Sequence, residues 1–193
     1  MPESDQEIIA EILKGNSRRF AVLVDRYKDR GMTLAVRILG GREEAEETLQ
    51  DAFVRAYRGL RDFRSEAKFS TWFYRILYNL CMTRLSRRKG RPTRVEQDED
   101  IGSETVFGDS DAATPHQLAE TQELRGILLE EITGLPDHLR AAVTLFYLED
   151  LSYEDLALAL HLPLGTVKTH LFRARALLRQ RVLQRTNNEV LVP

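Results

Sequence analysis

The sequence predicts an all-α protein of two small helical domains joined by an acidic, flexible linker, the second domain a helix-turn-helix. Three observations carry that expectation. Apolar residues recur at helical spacing wherever they recur at all, and no stretch alternates as a strand would. From Glu96 to Asp111 the chain reads EQDEDIGSETVFGDSD, with no base and little periodicity, the composition of a tether without a core of its own. The stretch LSYEDLALALHLPLGTVKTHLFRARALLRQRV, Leu151 to Val182, sets two amphipathic helices about a tight turn. The boundaries fall at residues 1–94, 95–118 and 119–193.

Ser4 with Glu7 is a capping-box signal ahead of IIAEIL, a short first helix. Phe20, Val22, Leu23 and Tyr27, then Leu34 and Ile38, mark a long second helix closed by Gly40-Gly41. REEAEE opens a third, its acids suited to the positive end of the helix dipole, and Leu49, Phe53, Val54 and Tyr57 carry it to about Leu60. RDFRSEAK is a polar loop, after which Ser70 is placed to cap the fourth helix. Beyond the acidic stretch come Leu124, Ile127, Leu128 and Ile132, then Gly134-Leu135-Pro136, then a helix through Leu139, Val143 and Phe146. Ser152 caps a short helix with Leu156 and Ala159 inward, and HLPLG is the turn. Thr166 opens the last helix, with Val167, Leu171, Ala174 and Leu178 on one face.

Composition excludes several classes of function. Hydrophobic residues at 42% of 193 supply a core, so the chain is not disordered throughout. A single cysteine, Cys81, excludes an intramolecular disulfide and a cysteine zinc site. The four histidines are scattered, and there is no P-loop, nucleophile elbow or metal-ligand spacing. Neither catalysis nor a cofactor or metal is expected. No apolar run reaches bilayer length and the N-terminus is acidic rather than signal-like, which predicts a cytoplasmic protein without membrane insertion. The net charge of -2 conceals segregation: RLSRRKGRPTR, Arg84 to Arg94, holds no acid.

Two surfaces then invite nucleic acid. In FSTWFYRILYNLCMTRLSRRKGR, Phe69, Phe73, Ile76, Leu77 and Leu80 share one helical face with Trp72 at its edge, and such a stripe is core. Thr71, Tyr74, Arg75, Tyr78 and Met82 fall outside it and are expected to be exposed, with Asn79 on the border. Rings, an amide and cations beside a basic run suit single-stranded nucleic acid. On the last helix, Lys168, Thr169, His170, Phe172, Arg173 and Arg175 oppose the leucine face, a donor-rich surface where base edges are read in a major groove. An isolated basic helix is usually only solvated; the turn before it, and Phe172 among the polar residues, favour DNA.

Together these segments resemble the extracytoplasmic-function sigma factors of the sigma-70 family, bacterial promoter-recognition subunits of RNA polymerase, over nearly the whole chain. AEETLQDAFVRAYRGLRDFR resembles their polymerase-clamp helix, FSTWFYRILYNLCMTRLSRRKGR their minus-ten segment, and ITGLPDHLRAAVTLFYLEDLSYEDLALALHLPLGTVKTHLFRARALLR their minus-thirty-five domain. The resemblance implies a pocket for a flipped non-template base formed by Asn79 and the loop Asp62 to Lys68, including Phe63, Arg64 and Ser65. Tyr74, Arg75 and Tyr78 would lie beside it. Arg84, Arg87, Arg88 and Lys89 would hold nearby backbone. Thr166, Lys168, Thr169, His170, Phe172, Arg173 and Arg175 would meet the minus-thirty-five element. Glu44, Glu47, Gln50, Asp51 and Arg55 would dock on the clamp. The implied partners are core RNA polymerase, through its clamp and flap regions, and promoter DNA both duplex and single-stranded; an anti-sigma factor is a candidate further partner. Lys168, Thr169 and His170 stand where many relatives carry arginine or serine, so the target sequence is not inherited.

The main alternative is a stand-alone regulator that uses the helix-turn-helix on duplex DNA and never joins polymerase, since GTVKTHLFRAR also resembles response-regulator DNA-binding domains. The first domain argues against it, lacking the strands, phosphoacceptor aspartates or pocket of a sensor.

Overall fold

The computed structural model describes residues 3–63, 67–90, 126–148 and 150–189, and among them every regular element is helical. Helix α1 (Asp5–Leu13) begins at the expected capping box: the Glu7 amide donates to the Ser4 hydroxyl at 3.3 Å and the Ser4 amide to the Glu7 carboxylate at 2.8 Å. Helix α2 (Phe20–Leu39) ends at Gly40, whose φ of 80° is the left-handed stop that glycine adopts without a Cβ clash. Helix α3 (Arg42–Gly59) carries Glu43 and Glu44 in its first turn and runs into a short 3-10 turn, Leu60–Asp62. Helix α4 (Phe69–Lys89) completes the first domain. The second holds a helix, α5, described over residues 126–133, then α6 (Asp137–Leu148), α7 (Tyr153–Leu160) and α8 (Leu164–Glu189).

Two helix starts differ from expectation. Lys68, not Ser70, is the N-cap of α4; it is extended, makes no side-chain cap bond, and leaves Ser70 inside the first turn. Helix α8 starts at Leu164, two residues before Thr166, because the Pro163 carbonyl already accepts from the Val167 amide at 3.1 Å. The turn between α7 and α8 closes on His161 at φ 58°, left-handed without being glycine.

The first domain's core is aromatic. Phe53 and Phe73 stack at 4.6 Å, and Tyr27, Phe69 and Tyr74 surround Phe73 at 5.9–6.1 Å. Helices α2, α3 and α4 cross at Gly31, where a Cβ would lie 2.7 Å from Leu49 Cδ1 and 3.5 Å from Phe73 Cε1. In the second domain Val143, Leu145, Leu156, Leu160, Val167, Leu171 and Ala174 are buried together.

These two cores are continuous. Helix α7 lies along α4 and α6 along α2. Arg140 on α6 donates to the Ile38 carbonyl at 3.2 Å, and the Thr71 hydroxyl donates to the Asp155 carboxylate at 3.0 Å. The expected exposure of the outer face of α4 is therefore corrected: Thr71 and Tyr74 are 1% exposed and Tyr78 5%, with α7 lying along α4 and the Tyr74 ring packed on Tyr27 and Phe73 of its own domain. Among the described residues no helix is long and apolar enough to cross a membrane, and no cluster of ligating side chains could hold a metal.

Candidate nucleic-acid interface

The residues assigned to base capture divide into three groups. Asn79, Arg75, Asp62 and Lys68 are exposed. Tyr74 and Tyr78 are buried, and burial pushes the Tyr78 hydroxyl up to about 12, with the Asp137 and Cys81 charges adding to the shift. Phe63 is half-buried at 5.0 Å from Trp72 and 6.0 Å from Phe69, so its ring belongs to the rim of the core. Arg64 and Ser65 lie outside the described residues. The Lys68 ammonium is 3.2 Å from the Asp155 carboxylate of α7. Burial alone would raise that carboxyl, but hydrogen bonds from Thr71, Ser152 and Lys68 outweigh it and hold the group below its usual range. Arg75 lines a cavity of about 590 Å3 whose far wall is Glu154, Leu158, His161 and Leu162.

On α3, Glu47, Gln50, Asp51 and Arg55 are exposed and Glu44 half-buried, the spacing of three and four keeping them on neighbouring faces. Sequence reasoning missed what lies across from them. Arg84 forks onto Glu47 at 2.9 Å and Asp51 at 3.1 Å, and those carboxylates raise its pKa. Arg88 approaches Glu44 at 3.9 Å and the Leu39 carbonyl at 3.4 Å. Arg84 and Arg88 of the basic run thus face the acids of α3, while Arg87 between them is exposed; the Lys89 side chain is outside the described residues. Half-exposed ion pairs of this kind stabilise by only about 0–1 kcal/mol and yield to a stronger competitor.

The helix-turn-helix presents a narrower reading surface than expected. Lys168 and Phe172 are exposed, and Thr166 and Arg173 half-buried. Thr169 is buried, its hydroxyl donating to the Gly165 carbonyl at 3.0 Å. His170 is buried with its ring 4.9 Å from that of His138 on α6, so it faces the domain interior. Arg175 is half-buried: it donates to the Tyr147 hydroxyl at 2.7 Å and the Tyr153 hydroxyl at 3.2 Å, with its guanidinium 6.0 Å from the Phe146 ring. That side chain ties α8 to α6 and to the start of α7. The aromatic triplet Phe146, Tyr147 and Tyr153 in the sequence was the available signal for it.

Known proteins share this plan. Residues 23–91 match sigma-70 region 2 and residues 125–178 match sigma-70 region 4. SigW, an ECF RNA polymerase sigma factor of Bacillus subtilis, is 37% identical over 90% of this chain and 94% of its own length. The RNA polymerase sigma-H factor of Pseudomonas aeruginosa is 36% identical over 90% and 91%. The ECF RNA polymerase sigma-E factor of Escherichia coli K12 is 35% identical over 89% and 91%. Among solved structures, CnrH in complex with the cytosolic domain of CnrY has the same fold at a TM-score of 0.64 and 22% identity, over 92% of this chain and 96% of CnrH. The sigma factor RpoE of Bartonella quintana, bound to the anti-sigma factor NepR, follows at 0.61 and 19%, over 84% and 96%. The chain belongs to the extracytoplasmic-function sigma factors of the sigma-70 family.

Proposed function

We propose that this chain brings core RNA polymerase to two-part promoters, residues 1–94 holding the polymerase and the minus-ten element and residues 119–193 the minus-thirty-five element. The observation that supports it best is the presence, in one chain, of two separate surfaces. One is a helix-turn-helix with Lys168 and Phe172 exposed; the other is a helical domain with an acidic stripe on α3 and an exposed amide, Asn79, on α4. The stripe suits a basic clamp surface, and the amide suits a base drawn out of the stack. The chain acts as an initiation factor, in the cytoplasm where polymerase works. An anti-sigma factor is included among its partners because the similar RpoE was solved with one.

Adding the full chain to core polymerase is expected to give promoter-specific transcription. Duplex binding by the chain without any stimulation of core would favour the stand-alone regulator instead. Within that assay, Glu47→Lys with Asp51→Lys is expected to weaken core binding at least tenfold. Because both acids also hold Arg84, Arg84→Ala is the control: it leaves the acids in place and should retain core binding. Equal losses in both variants would assign the effect to the α3–α4 ion pairs rather than to docking.

On the recognition helix, Arg173 and Arg175 should behave differently. Arg173→Ala is expected to relax preference at one position of the minus-thirty-five element, costing about 1–3 kcal/mol there. Arg175→Ala removes hydrogen bonds from a charged group to two tyrosine hydroxyls and should destabilise the second domain by about 1.5–3 kcal/mol. Titrations against a small duplex library, beside thermal melts, separate the two. An Arg175→Ala protein with unchanged melting and a shallower salt slope would assign Arg175 to phosphate binding instead.

A further inference from the structure

We infer that Arg37, on the last turn of α2, is a further phosphate contact, one that extends the basic run at the end of α4 onto a second helix and holds duplex DNA beside the melted segment. It rests on the function proposed above, in which that run meets DNA backbone. Arg37 is a charge without a counter-charge. The side chain is half-buried, its Nε is closed off from water without a hydrogen bond, and among the described residues no carboxylate pairs with it. Burial holds the guanidinium below its usual pKa, and no neighbouring acid offsets the shift. Taking a charge out of water is unfavourable unless a partner is supplied. A cation on the last turn of α2 does complement the negative end of the helix dipole. The dipole accounts for the charge but not for its burial, since an exposed side chain would serve equally.

The end of the helix does not supply the partner either. Its last carbonyls are natural acceptors for such a side chain, but other donors have reached them. The Val36 carbonyl accepts from the Gly40 amide at 2.8 Å, that of Ile38 from Arg140 at 3.2 Å, and that of Leu39 from Arg88 at 3.4 Å. Arg140 also pairs with Asp137, and Arg88 lies 3.9 Å from Glu44. Of these three arginines, Arg37 is the one with no acid.

The surroundings favour a phosphate as the missing anion. Arg88 sets the basic run against the carbonyl two positions after Arg37, and Arg87 and Arg42 are exposed at the same end of the domain, with Glu43 and Glu44 the acids beside them. Arg88 follows Asn79 by nine residues, about 13 Å along α4 or about four base steps of duplex. That is far enough from the captured base to reach backbone on the duplex side of the opening. A guanidinium, planar and with paired N–H donors, is the side chain best matched to a phosphate there.

A salt titration of the full chain on a labelled random-sequence duplex tests this, started at low salt, where backbone contacts alone give strong binding. Arg37→Met is expected to make the salt slope shallower by about one unit and to weaken binding about two- to fivefold. Its Tm should hold or rise, because an apolar side chain of similar volume replaces a desolvated charge. Arg87→Ala should also take about one unit from the slope, and the double variant about two. Arg37→Lys keeps the charge and should keep the slope. Lys28→Ala removes a cation from the opposite side of α2 and should leave the slope alone. A slope for Arg37→Met equal to that of the unaltered chain would overturn the contact, and so would a fall in Tm, which would make Arg37 a structural residue. An unchanged slope with weaker pull-down of core polymerase would give Arg37 to an acidic polymerase surface instead. No polymerase enters the titration, so promoter-specific transcription by the unaltered chain tests the sigma-factor reading separately.

Discussion

Phe73→Ala is expected to cost the first domain about 3–5 kcal/mol, the range for deleting a fully buried ring. Phe73 has no exposed surface, stacks on Phe53 at 4.6 Å, and is ringed by Tyr27, Phe69 and Tyr74. Its edge also lies against Gly31, the crossing point of α2, α3 and α4, so three helices lose a common packing partner. A loss of that size is a large part of the about 5–15 kcal/mol that holds a domain folded. In thermal melting followed by circular dichroism, it should appear as a fall in Tm of about 15 °C or more. Phe73→Leu, which refills much of the space, should recover over half. A fall of only a few degrees for the alanine would show that the aromatic cluster collapses around the gap.

Asn79→Ala is expected to act on function alone. The residue is exposed, on the α4 turn that follows buried Tyr78. Removing an amide that reads an extruded base loses about 1–3 kcal/mol, or roughly fivefold to a hundredfold in open-complex formation. Transcription from duplex promoters should fall by that factor, while a template already melted near the minus-ten element should suffer less, because extrusion of the base has been done for it. Tm should not move. Equal loss on both templates, or a fall in melting temperature, would show that Asn79 supports α4 rather than the base.

The parts of this fold that were legible in the sequence are those decided by near neighbours. The Ser4–Glu7 capping box, the Gly40 stop and the Ser152 cap each involve partners within about four positions, and each is found where the residues indicate. The helix-turn-helix was legible for the same reason: Leu156, Ala159, Val167 and Leu171 set an inward face within one short stretch. What could not be read involves partners far along the chain. Tyr74 and Tyr78 were assigned outward because hydroxyls and their place off the leucine stripe suggest solvent, yet a tyrosine ring is largely apolar, and that of Tyr74 packs on Tyr27, a partner 47 positions earlier on α2. Arg84 reads as part of a basic run; nothing local announces that Glu47 and Asp51 sit across from it. His170 reads as a surface donor on a helical wheel, while the ring that meets it, His138, belongs to another helix.

The hydrogen bond between Thr71 and Asp155 spans 84 positions of chain, and that distance is also a delay. Ribosomes extend a chain at about 5–20 residues per second, and domains fold in the order they emerge. Once Thr71 has been made, about 4–17 s pass before Asp155 exists at all. Through that interval the nascent first domain carries Thr71 without its partner, with the acidic stripe of α3 already complete. The first domain must therefore hold its own aromatic core before the helix that meets Thr71 has been made.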